Sequence, residues 1–429
     1  MTPSGDGPLT GSPTLGTPSD DMRRTWRLRS FRSLALSRTV SLFGDSAAPV
    51  ALAFGVLGLP SGNATDLGLV LLSRTVTQIV VVLFGGVIAD RCDRARLMIG
   101  ADVIAGASQL VAAILLLTGS ASVSALSGIA AVNGAAAAVV LPASSGLLPQ
   151  LVPPDLVRPA NMLMRLGTSA AAVAGASLSG VVVAGAGPGW GLVADSVTFL
   201  VSAALLWRVP IGGGLAPGRS GLLADLREGW HEFAGRPWVW RVVVQFAVVN
   251  ACTASGIQVL GPVVADERLG GPAAWSVVLG AQSAGVFLGT FALLRVHPRR
   301  PLRIGVLATL GFVPQFFLIA VGAPLWAIAV STFVSGVSTD FFTVFWSTSL
   351  QVHIPTALLS RISSYDALGS YLLKPVGLAV AGPLASTFGV SQVLVVFGAL
   401  AASFSIFTLA SRDVWRLPDT PRDAGKAVR

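Results

Sequence analysis

The chain has 429 residues, 53% of them hydrophobic and only 11% charged, with a mean hydropathy of +0.74. A soluble domain carries about 25% charged residues, so the composition excludes a water-soluble enzyme and indicates a polytopic membrane protein. The net charge of +9 would suit a nucleic-acid partner, but its distribution, described below, excludes that reading.

In chain order, residues 1–30 open with a stretch rich in Pro, Gly, Ser and Thr. It lacks a charged segment followed by an apolar core, so it predicts a disordered cytoplasmic tail and no signal peptide. Apolar runs long enough to cross a bilayer, about 20 residues each, follow at 33–58, 66–89, 97–117, 122–147, 160–186 and 190–209. A polar segment, 210–238, comes next. Within it Leu222, Leu223, Leu226, Trp230 and Phe233 recur at helical spacing, which predicts an amphipathic helix on the cytoplasmic interface. Six further runs occupy 239–263, 274–295, 302–322, 325–350, 360–387 and 390–411, and 412–429 form a cytoplasmic tail. The expected fold is therefore an all-α polytopic membrane protein with about twelve transmembrane helices, as two six-helix bundles at 31–209 and 239–411.

All but five of the 29 Lys and Arg residues fall on one side of this layout. The exceptions are Arg268 in an opposite loop and Arg38, Arg74, Arg165 and Lys374 within spans. That skew is the positive-inside pattern. It predicts a multi-pass protein of the cytoplasmic membrane with both termini in the cytoplasm, and makes the excess charge topological. The expected partners are a small-molecule substrate, protons and membrane lipids, with no nucleic acid, and the chain is expected to be a monomer. Cys92 and Cys252 are too far apart in this layout to form a disulfide.

The two halves carry matching signals, as in transporters built from repeats. Pro153 is followed fourteen residues later by Gly167, and Pro355 fourteen residues later by Gly369. Arg158 and Arg361 follow the prolines at similar distances. The charged turn at 90–96 has a decayed partner in Arg295-Val296-His297-Pro298-Arg299-Arg300.

Between the second and third spans lies Gly86-x-x-x-Asp90-Arg91-x-Asp93-Arg94-x-Arg96. With the six-plus-six layout, this loop resembles motif A of the major facilitator superfamily. Asp93 stands where that motif has Gly, and Ala95 where a second basic residue is common. The Asp-Arg form, Gly44-Asp45 in the first span and Leu151-Val152-Pro153-Pro154-Asp155 resemble the branch of macrolide efflux proteins and the enterobactin exporter. Gly175-Ala176-Ser177-Leu178-Ser179-Gly180 retains the glycines of the antiporter motif without its Pro. The resemblance implies a secondary exporter of small organic molecules (a drug, siderophore or secondary metabolite) working by alternating access with proton antiport. It also implies a gate in which Gly86, Asp90, Arg91 and Arg94 meet the inner end of span 11 at Asp366. The same fold also accommodates a proton-coupled importer and a non-transporting receptor or lipid scramblase.

Ionisable residues inside spans are costly and face a cavity or a partner. Asp45, seven residues after Arg38 and so on nearly the same helix face, is either a protonatable coupling group or a structural ion pair. Arg165 could bind an anionic substrate or Asp45, or reach the inner headgroups. Arg74 could pair with a nearby acid or snorkel outward. Asp195 and Lys374 are further cavity candidates. Asp340, with Phe341, Phe345 and Trp346, forms an acid-plus-aromatic patch suited to an amphipathic cation, although each ring could equally be packing; Asn250 is another contact candidate. Pro49, Pro142, Pro262, Pro314, Pro375 and Pro383 are kinks or are tolerated by neighbouring helices. No phosphate-binding loop is present, His231, His297 and His353 are too scattered for a metal site, and no cofactor is expected.

Overall fold

The computed structural model describes residues 18–209 and 230–416, apart from Cys92, Leu294, His297 and Arg299. The side chains of 83–91 and of several other residues, including Pro142, Arg361 and Arg412, lie outside the described part. So do Leu222, Leu223 and Leu226. Among the described residues, twelve helices are long and apolar enough to cross a membrane and no strand occurs.

In the first half these are α1 (Arg29–Leu57), α2 (Ala64–Arg91), α3 (Arg94–Leu117), α4 (Val123–Leu151), α5 (Val157–Ala186) and α6 (Pro188–Leu206). In the second half they are α7 (Pro237–Leu269), α8 (Pro272–Leu293), α9 (Pro301–Ala320), α10 (Leu325–His353), α11 (Ile362–Phe388) and α12 (Val390–Ala410). Four helices begin at proline (α6, α7, α8 and α9), where the missing N–H is one that would be orphaned anyway. The Asp93 carboxylate caps α3 by accepting from the Arg96 N–H at 2.9 Å, and Ser122 caps α4 through the Ala125 N–H at 3.3 Å. A shorter helix, Pro18–Arg27, precedes α1.

Several spans are irregular where proline or polar residues fall. In α7, π-helical turns at Ala254–Leu260 and Ala265–Leu269 flank Pro262. In α9, a 3-10 turn at Thr309–Phe312 precedes Pro314. The helix leading into α11 ends at Tyr371 and resumes at Lys374, followed by Pro375. Pro49 and Pro383 lie within continuous helix.

The repeat is visible at close backbone crossings. A Cβ at Gly134 in α4 would strike the Arg74 carbonyl of α2, and one at Gly336 in α10 would strike the Gln282 carbonyl of α8. Gly175 meets Phe43 across α5 and α1 as Gly377 meets Ala251 across α11 and α7. The spacing from Gly134 to Gly336 equals that from Gly175 to Gly377, and equals the Pro153–Pro355 spacing. The tight joints between α5 and α6 and between α11 and α12 use Gly187 (φ 94°) and Gly389 (φ 89°) at the same spacing, because an L side chain is strained there.

The apolar core divides unevenly. One large cluster joins both halves, with Val50, Leu67, Leu126 and Leu192 from the first and Val259, Trp275, Phe316 and Leu394 from the second. It fills the end bearing the short loops, called here the loop face. At the opposite end, the terminal face, the core splits. Phe31, Met98, Leu147 and Leu206 belong to a cluster of the first half alone. Val239, Leu302, Phe342 and Ile362 belong to a cluster of the second half alone. The halves meet through α2 against α11 and α5 against α8, and small residues form the seam. A Cβ at Gly68 would lie 2.5 Å from the Leu378 carbonyl oxygen, and Gly382, Gly180 and Gly280 abut Thr65, Ser276 and Ser177 in the same way. Among the described residues, the apolar core is thus continuous between the halves at the loop face and divided between them at the terminal face.

The end of the central segment packs onto the second half. Phe233 is buried in the core there, and Trp230 and Phe233 lie 5.7 and 5.8 Å from the Tyr365 ring.

Candidate functional site

The helices of the first half enclose a cavity of about 160 Å³, whose polar walls include Arg38, Ser41 and Asp45 from α1, Arg74 and Gln78 from α2, Asp102 from α3 and Asn133 from α4. That volume holds several waters. Small residues on α3 and α4, including Ala101, Ala105, Ala136 and Ala137, line the same space, so the long polar side chains have room to point inward.

Arg74 donates to the Asp45 carboxylate at 2.8 Å, with the Asp45 side chain 38% exposed. The pair therefore faces water-accessible space. Arg38 has both Asp45 and Asp102 within its field. The Asp102 carboxylate accepts from Ser202 of α6 at 2.5 Å, and Ser37 of α1 lies 2.7 Å from the same hydroxyl. Asn133 is buried and its Nδ2 has no hydrogen-bond partner. Behind Asp45, Asp195 is buried at 1% exposure; Gln109 donates to its Oδ2 at 2.7 Å, while Oδ1 is unpartnered. Gly44 makes this approach feasible, since a Cβ there would meet Thr198 and Asp195.

The second half has a related but uncharged arrangement. The Gln245 amide of α7 donates to Thr309 of α9 at 2.7 Å and to Ser405 of α12 at 3.1 Å. Ser37, Asp102 and Ser202 sit at the corresponding places of α1, α3 and α6. At the crossing that matches Gly134 and Arg74, Gly336 meets Gln282.

The candidates read from sequence are distributed as follows. Asp45, Arg38 and Arg74 share the cavity, and Asp45 is paired by Arg74, with Arg165 elsewhere. Arg165 is exposed on α5, and its field reaches Asp340 in the other half. Asp340 accepts from Thr290 of α8 at 3.0 Å. Lys374, at the restart of α11, lies close enough to Arg74 for their charges to interact across the two halves. Asn250 donates to the Ser370 carbonyl at 2.9 Å, tying α7 to α11. Phe341 is half-buried, whereas Phe345 and Trp346 are 5% and 7% exposed and serve as core packing in this conformation, because that face of α10 turns toward α7 and α9.

Of the gate residues, the side chains of Gly86, Asp90 and Arg91 lie outside the described part. Arg94 donates to the Gly146 carbonyl at 2.7 Å within its own half. Asp366 accepts from the Trp346 indole at 2.8 Å and from Ser370 at 3.2 Å. Arg94 and Asp366 are therefore each engaged in their own half. Among the described residues, no cluster of three metal-binding side chains occurs.

Asp102, Gln109 and Asn133 are absent from the sequence-derived candidates. A signal existed for Asp102: it is the one carboxylate inside the run 97–117, and a lone acid in a span marks a site by its cost alone. Asn133 and Gln109 are polar but neutral, and only their contacts reveal them.

The family model of the Major Facilitator Superfamily matches residues 34–378. Among curated proteins, the chain is 23% identical over 282 residues to the uncharacterized MFS-type transporter YvqJ of Bacillus subtilis, a match covering 62% of this chain and 65% of that one, just under two thirds of its length. It is 25% identical over 350 residues to the multidrug efflux pump Tap of Mycolicibacterium fortuitum, covering 77% of this chain and 83% of that one. Among solved structures, the nucleoside transporter NupG superposes with a TM-score of 0.70 at 13% identity, covering 91% of this chain and 99% of that one, a likeness of fold. With the family model spanning most of the chain, twelve described helices long and apolar enough to cross a membrane and a two-half architecture, this is a multi-pass membrane protein and a transporter, not an enzyme: the chain belongs to the major facilitator superfamily.

Proposed function

We propose that this chain exports small organic molecules across the cytoplasmic membrane by alternating access, in exchange for protons. The observation that carries the reading is the Asp45–Arg74 pair, held at 2.8 Å on the wall of a polar cavity within one half. In the proposed cycle this carboxylate is the group that takes up and gives back the exchanged proton. Its ionised form is held by the guanidinium and its neutral form releases it. Protonation therefore changes the bonding between α1 and α2, and α2 also forms part of the seam against α11. A ligand or proton shifts a two-state equilibrium only through such differential interaction.

The terminal face is read as cytoplasmic on the strength of the positive-inside charge pattern, so the present conformation opens inward. The outward-open state would bring the motif-A residues Asp90, Arg91 and Arg94 against α11. The efflux direction draws on the name of the relative Tap and on the Asp-Arg form of the loop. Arg165 and Asp340, whose charges interact from opposite halves, are the proposed substrate-side charges, with Phe341 next to Asp340 in sequence.

A susceptibility panel in a pump-deficient bacterial host tests this reading. Expression of the wild type should raise tolerance to at least one toxic organic compound, and Asp45→Asn at equal membrane levels should not. A panel on which no compound separates the two, or on which the wild type increases compound uptake, would overturn it.

A further inference from the structure

The two halves solve one packing problem in two ways. In the second half, the junction of α7, α9 and α12 is held by the neutral trio Gln245, Thr309 and Ser405, all fully buried. In the first half, the junction of α1, α3 and α6 uses Ser37, Asp102 and Ser202 at the corresponding places. A neutral trio is therefore sufficient to join these helices. A carboxylate in the same position must overcome the cost of an ionisable group in the membrane, which packing alone does not call for.

The Asp102 position also differs in what surrounds it. The second-half trio is fully buried and bonded within itself. Asp102 lines the 160 Å³ cavity together with Arg38 and Asp45, and the charges of both carboxylates bear on Arg38. The groups facing this region from each packed element are Arg38 and Asp45 on α1, Arg74 and Gln78 on α2, Asn133 on α4 and Ser202 on α6, with Asp195 of α6 behind Asp45 and Lys374 of α11 beyond Arg74. Asp195 is the rival acid, but it faces Gln109 and is not among the cavity walls.

We infer that Asp102 is a second proton-carrying residue of the transport cycle, exchanging one proton with cavity water, with Arg38 as the charge that compensates its ionised form while Arg74 holds Asp45. The carboxyl loses its proton to water as the carboxylate forms, and Ser202 keeps donating to the oxygen that does not carry the proton. This deepens the proton-exchange reading above and rests on it.

Difference infrared spectroscopy of the full chain in lipid, between about pH 5 and pH 9, provides a readout that needs no substrate. Wild type, Asp102→Asn, Asp102→Thr and Asp45→Asn are compared, each first shown monodisperse; Asp102→Thr copies the residue found in the second half and guards against misfolding. The expected result is that the protonated-carboxyl signal loses one component in both Asp102 variants and a different component in Asp45→Asn. Spectra of both Asp102 variants identical to wild type would overturn the inference, while leaving proton exchange through Asp45 standing if Asp45→Asn alone loses signal. Loss of a component in the Asp102 variants with none in Asp45→Asn supports titration of Asp102 and instead removes Asp45 from the coupling reading.

Discussion

Closure of the loop face depends on glycines, and Gly68 gives the most direct handle on it. A Cβ there would lie 2.5 Å from the Leu378 carbonyl oxygen of the other half, roughly 1 Å inside an ordinary contact of about 3.5 Å. The opposing atom is main chain, so no rotamer change relieves the overlap and α2 must part from α11. Overpacking of this kind costs about 1–3 kcal/mol, and here the cost falls only on the conformation that joins the halves at this end. Gly68→Ala should therefore lower the ratio of closed to open loop face by about 5- to 150-fold. The assay is a pulsed electron–electron distance measurement between spin labels at Ser61 and Thr387, which are exposed on the loop face in opposite halves, with Cys92 and Cys252 replaced. The labels should move apart in Gly68→Ala and in Gly382→Ala, which strikes Thr65 across the same seam. Unchanged distances in both folded variants would refute the steric account of the seam.

Arg74→Gln gives the first half the residue that the second half carries at the matching crossing, Gln282. It should fold with a loss of about 1 kcal/mol, the upper range for a pair with solvent access, yet abolish protection in the susceptibility panel. Gln245→Leu removes the donor that joins Thr309 and Ser405 in the core. It should cost about 1–3 kcal/mol, read as a lower thermal unfolding temperature in detergent, and leave the first-half cavity intact. Trp415→Ala removes a ring that lies 3.4 Å from the Arg303 guanidinium, in a segment where Asp413 also pairs with Arg241. Losing about 0.5–2 kcal/mol at that clasp should speed proteolytic trimming of the C-terminal end without changing transport.

The spans were legible because about 20 apolar residues in a row leave few other structures open to the chain, and the helices that begin at Pro188, Pro237, Pro272 and Pro301 start within two residues of the expected runs. The repeat was legible from Pro153–Gly167 and Pro355–Gly369, and the same spacing recurs in Gly134 and Gly336, whose role is to let one backbone cross another. Charges within spans were also legible, since Asp45, Arg74 and Asp195 stand out against hydrocarbon. Their partners were not. Which acid Arg74 meets depends on how α1 and α2 are rotated about their axes, and the hydrophobic pattern of an all-round apolar helix fixes that rotation poorly. The same gap explains Phe345 and Trp346: aromatic residues beside an acid read as a binding patch, but the turn of α10 sends them into the core. Asn133 and Gln109 carry no charge to announce them, and a buried amide is distinguished only by the group it faces.

Proton movement in proteoliposomes decides whether Asp45 couples transport to a gradient. The purified full chain is reconstituted with a trapped pH indicator and given a compound that the wild type confers tolerance to in the panel. The account predicts that the compound drives protons in the opposite direction, that an imposed proton gradient accelerates its flux, and that Asp45→Asn loses both responses while still binding the compound. Flux indifferent to the gradient, or gradient-driven flux of undiminished rate in Asp45→Asn, would contradict it.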